Sequence, residues 1–402
     1  MTGVLVVGGG ATGAGIARDL ALRGVEVTLV ERGALAGGTS GRSHGLLHSG
    51  ARYAESDPEG AAECLDENRI LRETAGACVR ETDGLFVSLA GDDPDYFAEK
   101  RAACESVGIP VETLDGDHAR ELVPDLAPTV ERALRVPDAV VSPSRLVAAN
   151  AADARASGAT VHTNAPVEGI EAADGRVTAV AVGGEVADRI EPDYVVNATG
   201  PYAGAVAAMA GVDVDMDPTR GVMVSVEYDG LGPVLNRCRE PDDGDIVVPH
   251  EREAVLGTTS VPVGDPEEYP TEDWEVETSV AECAAMLPPV ADAPVRRTWW
   301  GVRPLYGPDE AERGGRGISR GFFCLDHNAV ENMASVVGGK LTTYRAMAAA
   351  TADLVCERLD VDATAETADR PLPGAGDPGR LDEFVAEFGG PGPTDSDVVG
   401  GQ

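Results

Sequence analysis

The chain has 402 residues, with 69 Asp and Glu against 32 Lys and Arg and a formal net charge of −37. A field of that sign repels phosphate backbones and anionic lipid, so it argues against nucleic acid or a bare membrane surface as a direct partner, and it suits very concentrated salt, where self-repulsion is screened. Length and a hydrophobic fraction of 43% suit two or three domains with ample cores.

Val4-Leu5-Val6-Val7 runs straight into Gly8-Gly9-Gly10-Ala11-Thr12-Gly13, and Val27-Thr28-Leu29-Val30 then ends in Glu31. This order predicts a strand, a glycine turn, a helix over roughly Ala11 to Arg23 and a second strand closed by a carboxylate, the signature of a dinucleotide site. Gly8 makes the tight turn, Gly10 lets backbone approach a pyrophosphate, and Gly13 lets the helix pack on the strand. The helix aims its positive end at the phosphates, and Glu31 accepts from ribose hydroxyls. Gly33 to Gly45 is a glycine-rich loop that can wrap the rest of a cofactor. Helical spacing from Pro58 to Arg80 follows, then the strand-like Gly84-Leu85-Phe86-Val87-Ser88-Leu89.

Val141 to Gly158 reads as a helix, and Asp193 to Gly200 as a further parallel strand of the nucleotide-binding sheet. Alternating runs from Thr219 to about Val263 predict antiparallel strands that roof a substrate site. An acidic helix spans Thr271–Leu287, and a last helix runs from Thr342 to Leu359. The predicted fold is thus α/β, a Rossmann-like domain interleaved with an α+β substrate domain containing an antiparallel sheet. The nucleotide-binding domain takes residues 1–78, 142–218 and 320–360, and the substrate domain 79–141 and 219–319. Residues 361–402, rich in Pro, Gly, Asp and Ala, read as a tail or linker.

No apolar run approaches the roughly 20 residues of a spanning helix. The first strand starts almost at Met1, which leaves no room for an export signal, so a cytoplasmic protein is expected. Seven cysteines without a C-x-x-C pair indicate neither a disulfide framework nor a metal site. Thirty of the 32 basic residues are arginine; the two lysines are Lys100 and Lys340. Lys100, in Phe97-Ala98-Glu99-Lys100-Arg101, reads as a solvated surface residue. Lys340, in Gly338-Gly339-Lys340-Leu341-Thr342-Thr343, does not, and in an arginine-using chain it points to a specific need for an ammonium group.

The glycine start, the Gly37-Gly38-Thr39-Ser40 loop, the Asn197-Ala198-Thr199-Gly200 strand end and the Gly338-Gly339-Lys340 turn together resemble the FAD-dependent oxidoreductases of the D-amino-acid-oxidase superfamily. Ser43-His44-Gly45-Leu46-Leu47-His48-Ser49-Gly50-Ala51-Arg52-Tyr53, Gly301-Val302-Arg303-Pro304-Leu305 and Ser319-Arg320-Gly321 are similar to glycerol-3-phosphate dehydrogenases. Asn236-Arg237-Cys238-Arg239 and Leu256-Gly257-Thr258-Thr259-Ser260 favour the anaerobic, membrane-associated branch. The resemblance covers residues 1–360. That branch carries a C-terminal cysteine-rich iron–sulfur region, and no cysteine follows Cys356 here.

The resemblance implies the glutathione-reductase type for the Rossmann-like domain, non-covalent FAD, sn-glycerol 3-phosphate as substrate and dihydroxyacetone phosphate as product. It also implies electron transfer to a quinone through membrane-associated partner proteins, which would hold the chain at the inner face of the cell membrane. The alternatives are a relative acting on an amino or hydroxy acid, or a flavoprotein that only relays electrons. Arg303 and Arg320, with Arg52 as a third cation, suit a dianionic phosphate better than a carboxylate, and Tyr53 lines the same pocket. His48 is the expected base, with His44 its rival. Lys340 and Arg303 complete the catalytic set. Beyond Gly8, Gly10, Ala11, Thr12, Gly13 and Glu31, FAD contacts are expected from Arg32, Gly38, Thr39, Ser40 and Arg42. Ser43, His44, Gly45, Val167, Thr199 and Gly200 join them, with Gly339, Lys340, Leu341 and Thr342 at the far end.

Overall fold

The computed structural model describes residues 3–250, 252–307 and 321–389. Strand β1 (Val4–Val7) is buried throughout, and at Gly8 a φ of 109° turns the chain into helix α1 (Ala11–Leu22). Strand β2 (Val27–Val30) returns parallel to β1, with Val4 opposite Val27 and Val7 opposite Val30. Helix α1 is half Ala and Gly, with Ile16 and Leu20 among its apolar residues. It is buried on nearly all sides, between the sheet and the helices Pro143–Ala156 and Tyr344–Arg358. On the other side of β1 lie Tyr194–Asn197 and then Met333–Gly338, all parallel. Thr160–His162 extends the β2 edge in parallel, and Phe322–Asp326 closes the opposite edge antiparallel. The carboxyl ends of the parallel strands share one side, where a doubly wound sheet receives its ligand.

The second domain is built on Thr219–Glu227, which pairs antiparallel with Glu253–Gly257 on one side and Val295–Arg303 on the other. That sheet continues through Ile246–His250, Val234–Arg237, Gly84–Leu89 and Val130–Val136. Val222, Val224 and Leu256 bury one face of it against Cys283 and Met286 of the helix Asp273–Met286. The architecture is the α/β nucleotide-binding domain interleaved with an antiparallel substrate domain that the chain's periodicities predict.

Two expectations differ from the structure. Residues 361–389 are not a tail: Leu372, Leu381, Phe384 and Phe388 are buried in the core around α1. The helix Pro378–Phe388 is tied to Pro143–Ala156 by Arg145–Asp382 at 2.7 Å and Arg155–Glu387 at 2.8 Å. The spacing of Leu381, Phe384 and Phe388 makes one apolar stripe, which the surrounding Pro, Gly and Asp mask in composition. Residues 390–402 lie outside the described residues. Lys100, in turn, is not solvated: it is 1% exposed, inside a core formed by Phe86, Phe97 and Cys104. Its ion pair with Glu55 at 2.6 Å is what makes such burial tolerable.

Candidate active site

A cavity of about 630 Å³ runs from the glycine turn, across the carboxyl ends of the parallel strands, to the inner face of the substrate sheet. The residues present fit a dinucleotide. A Cβ on Gly13 would lie 1.9 Å from the Gly8 carbonyl oxygen, so α1 reaches this closely to β1 only without a side chain there. A Cβ on Gly10 would meet only Ser40 Oγ, at 3.2 Å, which leaves room for a group as bulky as a pyrophosphate over the helix end. Glu31 sits at the end of β2 with Oε2 accepting from the Gly9 amide at 2.6 Å and Oε1 from Gly33 at 2.9 Å. Each oxygen has a second lone pair, so the carboxylate is both fixed in place and able to accept from a hydroxyl.

The glycine loop is strapped to the substrate domain. Thr39 Oγ1 donates to the Val302 carbonyl at 2.6 Å and Trp299 Nε1 to the Arg42 carbonyl at 3.1 Å. Ser40 Oγ accepts from the Ala11 amide at 3.0 Å, tying the loop to the start of α1. At the other end, Gly338 and Gly339 adopt φ of 79° and 75°. A Cβ on Gly339 would lie 2.3 Å from Met347 Sδ. That turn delivers Lys340 and Leu341 to the cavity just before the helix Tyr344–Arg358.

His48, Tyr53, Arg303 and Lys340 all line this cavity. His48 Nε2 is 3.5 Å from the Tyr53 hydroxyl, and the two rings meet edge to face at 5.2 Å. The His48 amide donates to Thr342 Oγ1 at 3.0 Å, and Asn68 of helix α2 (Pro58–Thr74) donates to the His48 carbonyl at 3.2 Å, so its backbone is held on both sides. Lys340 Nζ lies 4.6 Å above the Tyr53 ring and 4.0 Å from Asp57 Oδ2. The Arg303 guanidinium donates to Thr258 Oγ1 at 3.1 Å and the Thr259 carbonyl at 3.0 Å.

Of the expected cofactor contacts, Gly8, Gly10, Ala11, Thr12, Glu31, Arg32, Gly38, Thr39, Ser40, Arg42, Ser43, His44, Val167, Thr199, Gly200, Gly339, Lys340 and Leu341 line the cavity. Gly13, Gly45 and Thr342 stand behind its wall instead. A Cβ on Gly45 (φ 75°) would lie 2.7 Å from the Val141 carbonyl, and the Thr342 hydroxyl is turned to His48. Arg52 also stands outside the lining, with Asn236 Oδ1 and Asp245 Oδ2 each 3.5 Å from its guanidinium. Arg320 lies outside the described residues.

The strands expected to roof the site do so, but sequence reasoning did not single out Gly221, Met223, Thr258 and Gly301 as the residues of that far wall. It also missed Tyr202, whose ring carries the Arg32 guanidinium at 4.1 Å. A glycine inside a strand pattern, as at Gly221, is the signal of close approach that would have found the wall.

Comparison with known proteins matches residues 3–345 to the family described as FAD dependent oxidoreductase. The chain is 48% identical to the A1 component of anaerobic glycerol-3-phosphate dehydrogenase from Haloferax volcanii, over 96% of this chain and 69% of that protein. It is 40% identical to the corresponding component of the Escherichia coli K12 enzyme, over 94% of this chain and 71% of that one. Among solved structures it is similar to glycerol-3-phosphate dehydrogenase from Bacillus halodurans complexed with FAD, with a TM-score of 0.71 at 25% identity, over 95% of this chain and 71% of that one.

Proposed function

The chain belongs to the FAD-dependent oxidoreductases, beside these components of anaerobic glycerol-3-phosphate dehydrogenase, and from that premise we propose that it oxidises sn-glycerol 3-phosphate to dihydroxyacetone phosphate. The observation that carries this is the convergence of His48, Tyr53, Arg303 and Lys340 on one cavity continuous with the glycine cradle. FAD, when bound, supplies a two-electron acceptor for the alcohol carbon. The turn Gly8–Gly13 and the start of α1 would hold its pyrophosphate without a covalent link, Glu31 its ribose, and Lys340 with Leu341 its far end.

The protein's share is to bind, orient and remove a proton. Arg303, presented from the substrate sheet, meets the substrate phosphate, where a planar guanidinium offers paired donors. That local charge is needed because the field of the whole chain opposes an anion. Arg52 and Arg320 are proposed as further cations at that end; the long contacts of Arg52 with Asn236 and Asp245 leave its guanidinium able to shift toward a phosphate. His48 takes the proton from the C2 hydroxyl, with the Tyr53 hydroxyl beside Nε2 to orient the ring. His48 is favoured over His44 by hydrogen bonding: His44 Nδ1 accepts the Leu46 amide at 3.3 Å, which fixes the neutral ring with its proton on Nε2, a donor. Lys340 holds the substrate oxygen as negative charge builds on it.

Electrons are proposed to pass on to a quinone through membrane-associated partner proteins that keep the chain at the inner face of the membrane. No helix among the described residues is long and apolar enough to cross a membrane. The test is anaerobic titration of the flavin-loaded protein in concentrated salt, following the visible flavin band. Bleaching by sn-glycerol 3-phosphate and not by amino or hydroxy acids is the expected result. No bleaching, with dithionite still reducing the flavin, overturns the proposal.

A further inference from the structure

We propose that Lys100, far from the glycine cradle in sequence, is a positioning residue for substrate binding, and that it holds the segment Ala51–Asp57 against the cavity. This rests on glycerol 3-phosphate being the substrate. Lys100 lies in helix α3 (Pro94–Val107), and its ammonium donates to the Ala51 carbonyl at 3.1 Å and to Glu55 Oε2 at 2.6 Å. Those two contacts bracket Arg52 and Tyr53. Lys340 in turn covers the Tyr53 ring and approaches Asp57. The two lysines of a chain that otherwise uses arginine therefore contact the same short segment.

The ends of the segment are fixed by other means. A Cβ on Gly50 (φ 94°) would lie 2.2 Å from the Ala61 carbonyl, so the chain enters pressed against α2. It leaves through Asp57, whose Oδ1 caps α2 by accepting the Gly60 amide at 3.0 Å. Between them the backbone of Tyr53 is held by local turn bonds to Gly50, Ser56 and Asp57, and Lys100 is the side chain from outside the segment that ties Ala51 and Glu55, on either side of Tyr53, to helix α3. The site suits an ammonium and not a guanidinium. Nζ sits 5.2 Å from the Phe86 ring centre and 5.6 Å from that of Tyr96 while keeping its carbonyl and carboxylate acceptors, a compact arrangement that a planar fork cannot reproduce. The surroundings are dry: burial pushes the thiols of Cys104 and Cys238 up to about 12. A buried ammonium kept for stability alone is replaceable by apolar packing, so what Lys100 holds is the better account of its presence.

The experiment compares Lys100→Met, Lys100→Arg and Leu126→Ala, each as the full flavin-loaded chain in concentrated salt. Leu126 lies in the separate core of the substrate sheet and serves as a control for lost stability. Both Lys100 variants are expected to raise KM for sn-glycerol 3-phosphate about tenfold and to lower kcat more modestly, because the segment also carries Tyr53 beside His48, with flavin content close to wild type. Amide exchange at Ala51–Asp57 is expected to quicken in Lys100→Met and not in Leu126→Ala. A KM that moves equally in Leu126→Ala and the Lys100 variants, or a wild-type KM in Lys100→Met, overturns the proposal. If glycerol 3-phosphate does not bleach the wild-type flavin, the substrate reading fails on its own. Exchange then decides for Lys100, and unchanged protection of the segment overturns its role.

Discussion

Gly221 and Arg303 are diagonal neighbours on paired strands, Gly221 lying opposite Gly301 and Arg303 opposite Thr219, and a Cβ on Gly221 would lie 2.7 Å from Arg303 Nη2. The same Cβ would meet Thr258 Oγ1 at 2.4 Å and the Thr259 carbonyl at 2.5 Å, the oxygens that accept from Nη2 of the guanidinium. Gly221→Ala therefore pushes on the arginine and on the acceptors of its Nη2. Overpacking of this kind costs about 1–3 kcal/mol, so KM should rise roughly tenfold or more while the flavin stays bound. Arg303→Ala should weaken substrate binding by about 2 kcal/mol or more, the cost of losing a charge-assisted contact. Steady-state kinetics in concentrated salt check both, and an unchanged KM in Arg303→Ala removes the phosphate role.

Gly13 has no such latitude. Its missing Cβ would sit 1.9 Å from the Gly8 carbonyl, a backbone atom that cannot swing aside. Gly13→Val should separate α1 from β1 and open the cradle at the phosphates. The expected outcome is purification as a colourless protein with a lower melting temperature, read from the ratio of flavin to protein absorbance. Retention of full flavin content would show that the close approach is not needed for the cofactor.

Lys340→Arg keeps the charge yet should lower kcat at least about tenfold, because a planar guanidinium cannot take the compact position of the ammonium between the Tyr53 ring and Asp57. The side chain is 3% exposed, so a larger head cannot escape into solvent. Rapid-mixing measurement of flavin bleaching separates this from slow product release. A fully active Lys340→Arg would refute the need for an ammonium.

The cradle was legible because it is local. β1, the glycine turn, α1 and Glu31 are contiguous, and each residue type is dictated by one steric or electrostatic demand. Gly338-Gly339-Lys340 was legible for the same reason. Lys100 was not, since its acceptors at Ala51 and Glu55 and its ring neighbour Phe86 are distant in sequence and only the fold assembles them. The wall of Met223 and Thr258 was hidden for a related reason. Thr219–Glu227 reads as an ordinary strand, and which of its faces meets the cavity depends on pairing with Glu253–Gly257 and Val295–Arg303.

The charge of −37 gives a prediction about the whole molecule. Many of its ion pairs, such as Arg189–Glu171 and Arg101–Glu105, are exposed and contribute little to stability. Repulsion among the excess carboxylates then dominates at low ionic strength, and added salt screens it. The melting temperature should climb with potassium chloride into the molar range. A melting temperature indifferent to salt would contradict this.

His250 supplies a pH dependence that can be isolated. Its Nε2 donates to the His44 carbonyl at 3.1 Å, fixing the stretch that leads into the cavity, while Nδ1 is buried without a hydrogen-bond partner among the described residues. Burial, helped by the nearby Arg80 and Arg297 charges, pushes its pKa from 6.5 down to about 4. Between those values the folded protein keeps the ring neutral while the unfolded chain takes up a proton. Stability is thus fully present above about pH 6.5 and falls by about 1.4 kcal/mol per pH unit on acidification toward pH 4. Moving from about pH 7.5 to about pH 5 should therefore cost about 2 kcal/mol through this residue alone. His250→Gln retains a donor for the His44 carbonyl but does not titrate. Its urea midpoint should fall less over that interval than the wild type's, and parallel falls in the two proteins would show that the histidine is not a source of acid sensitivity.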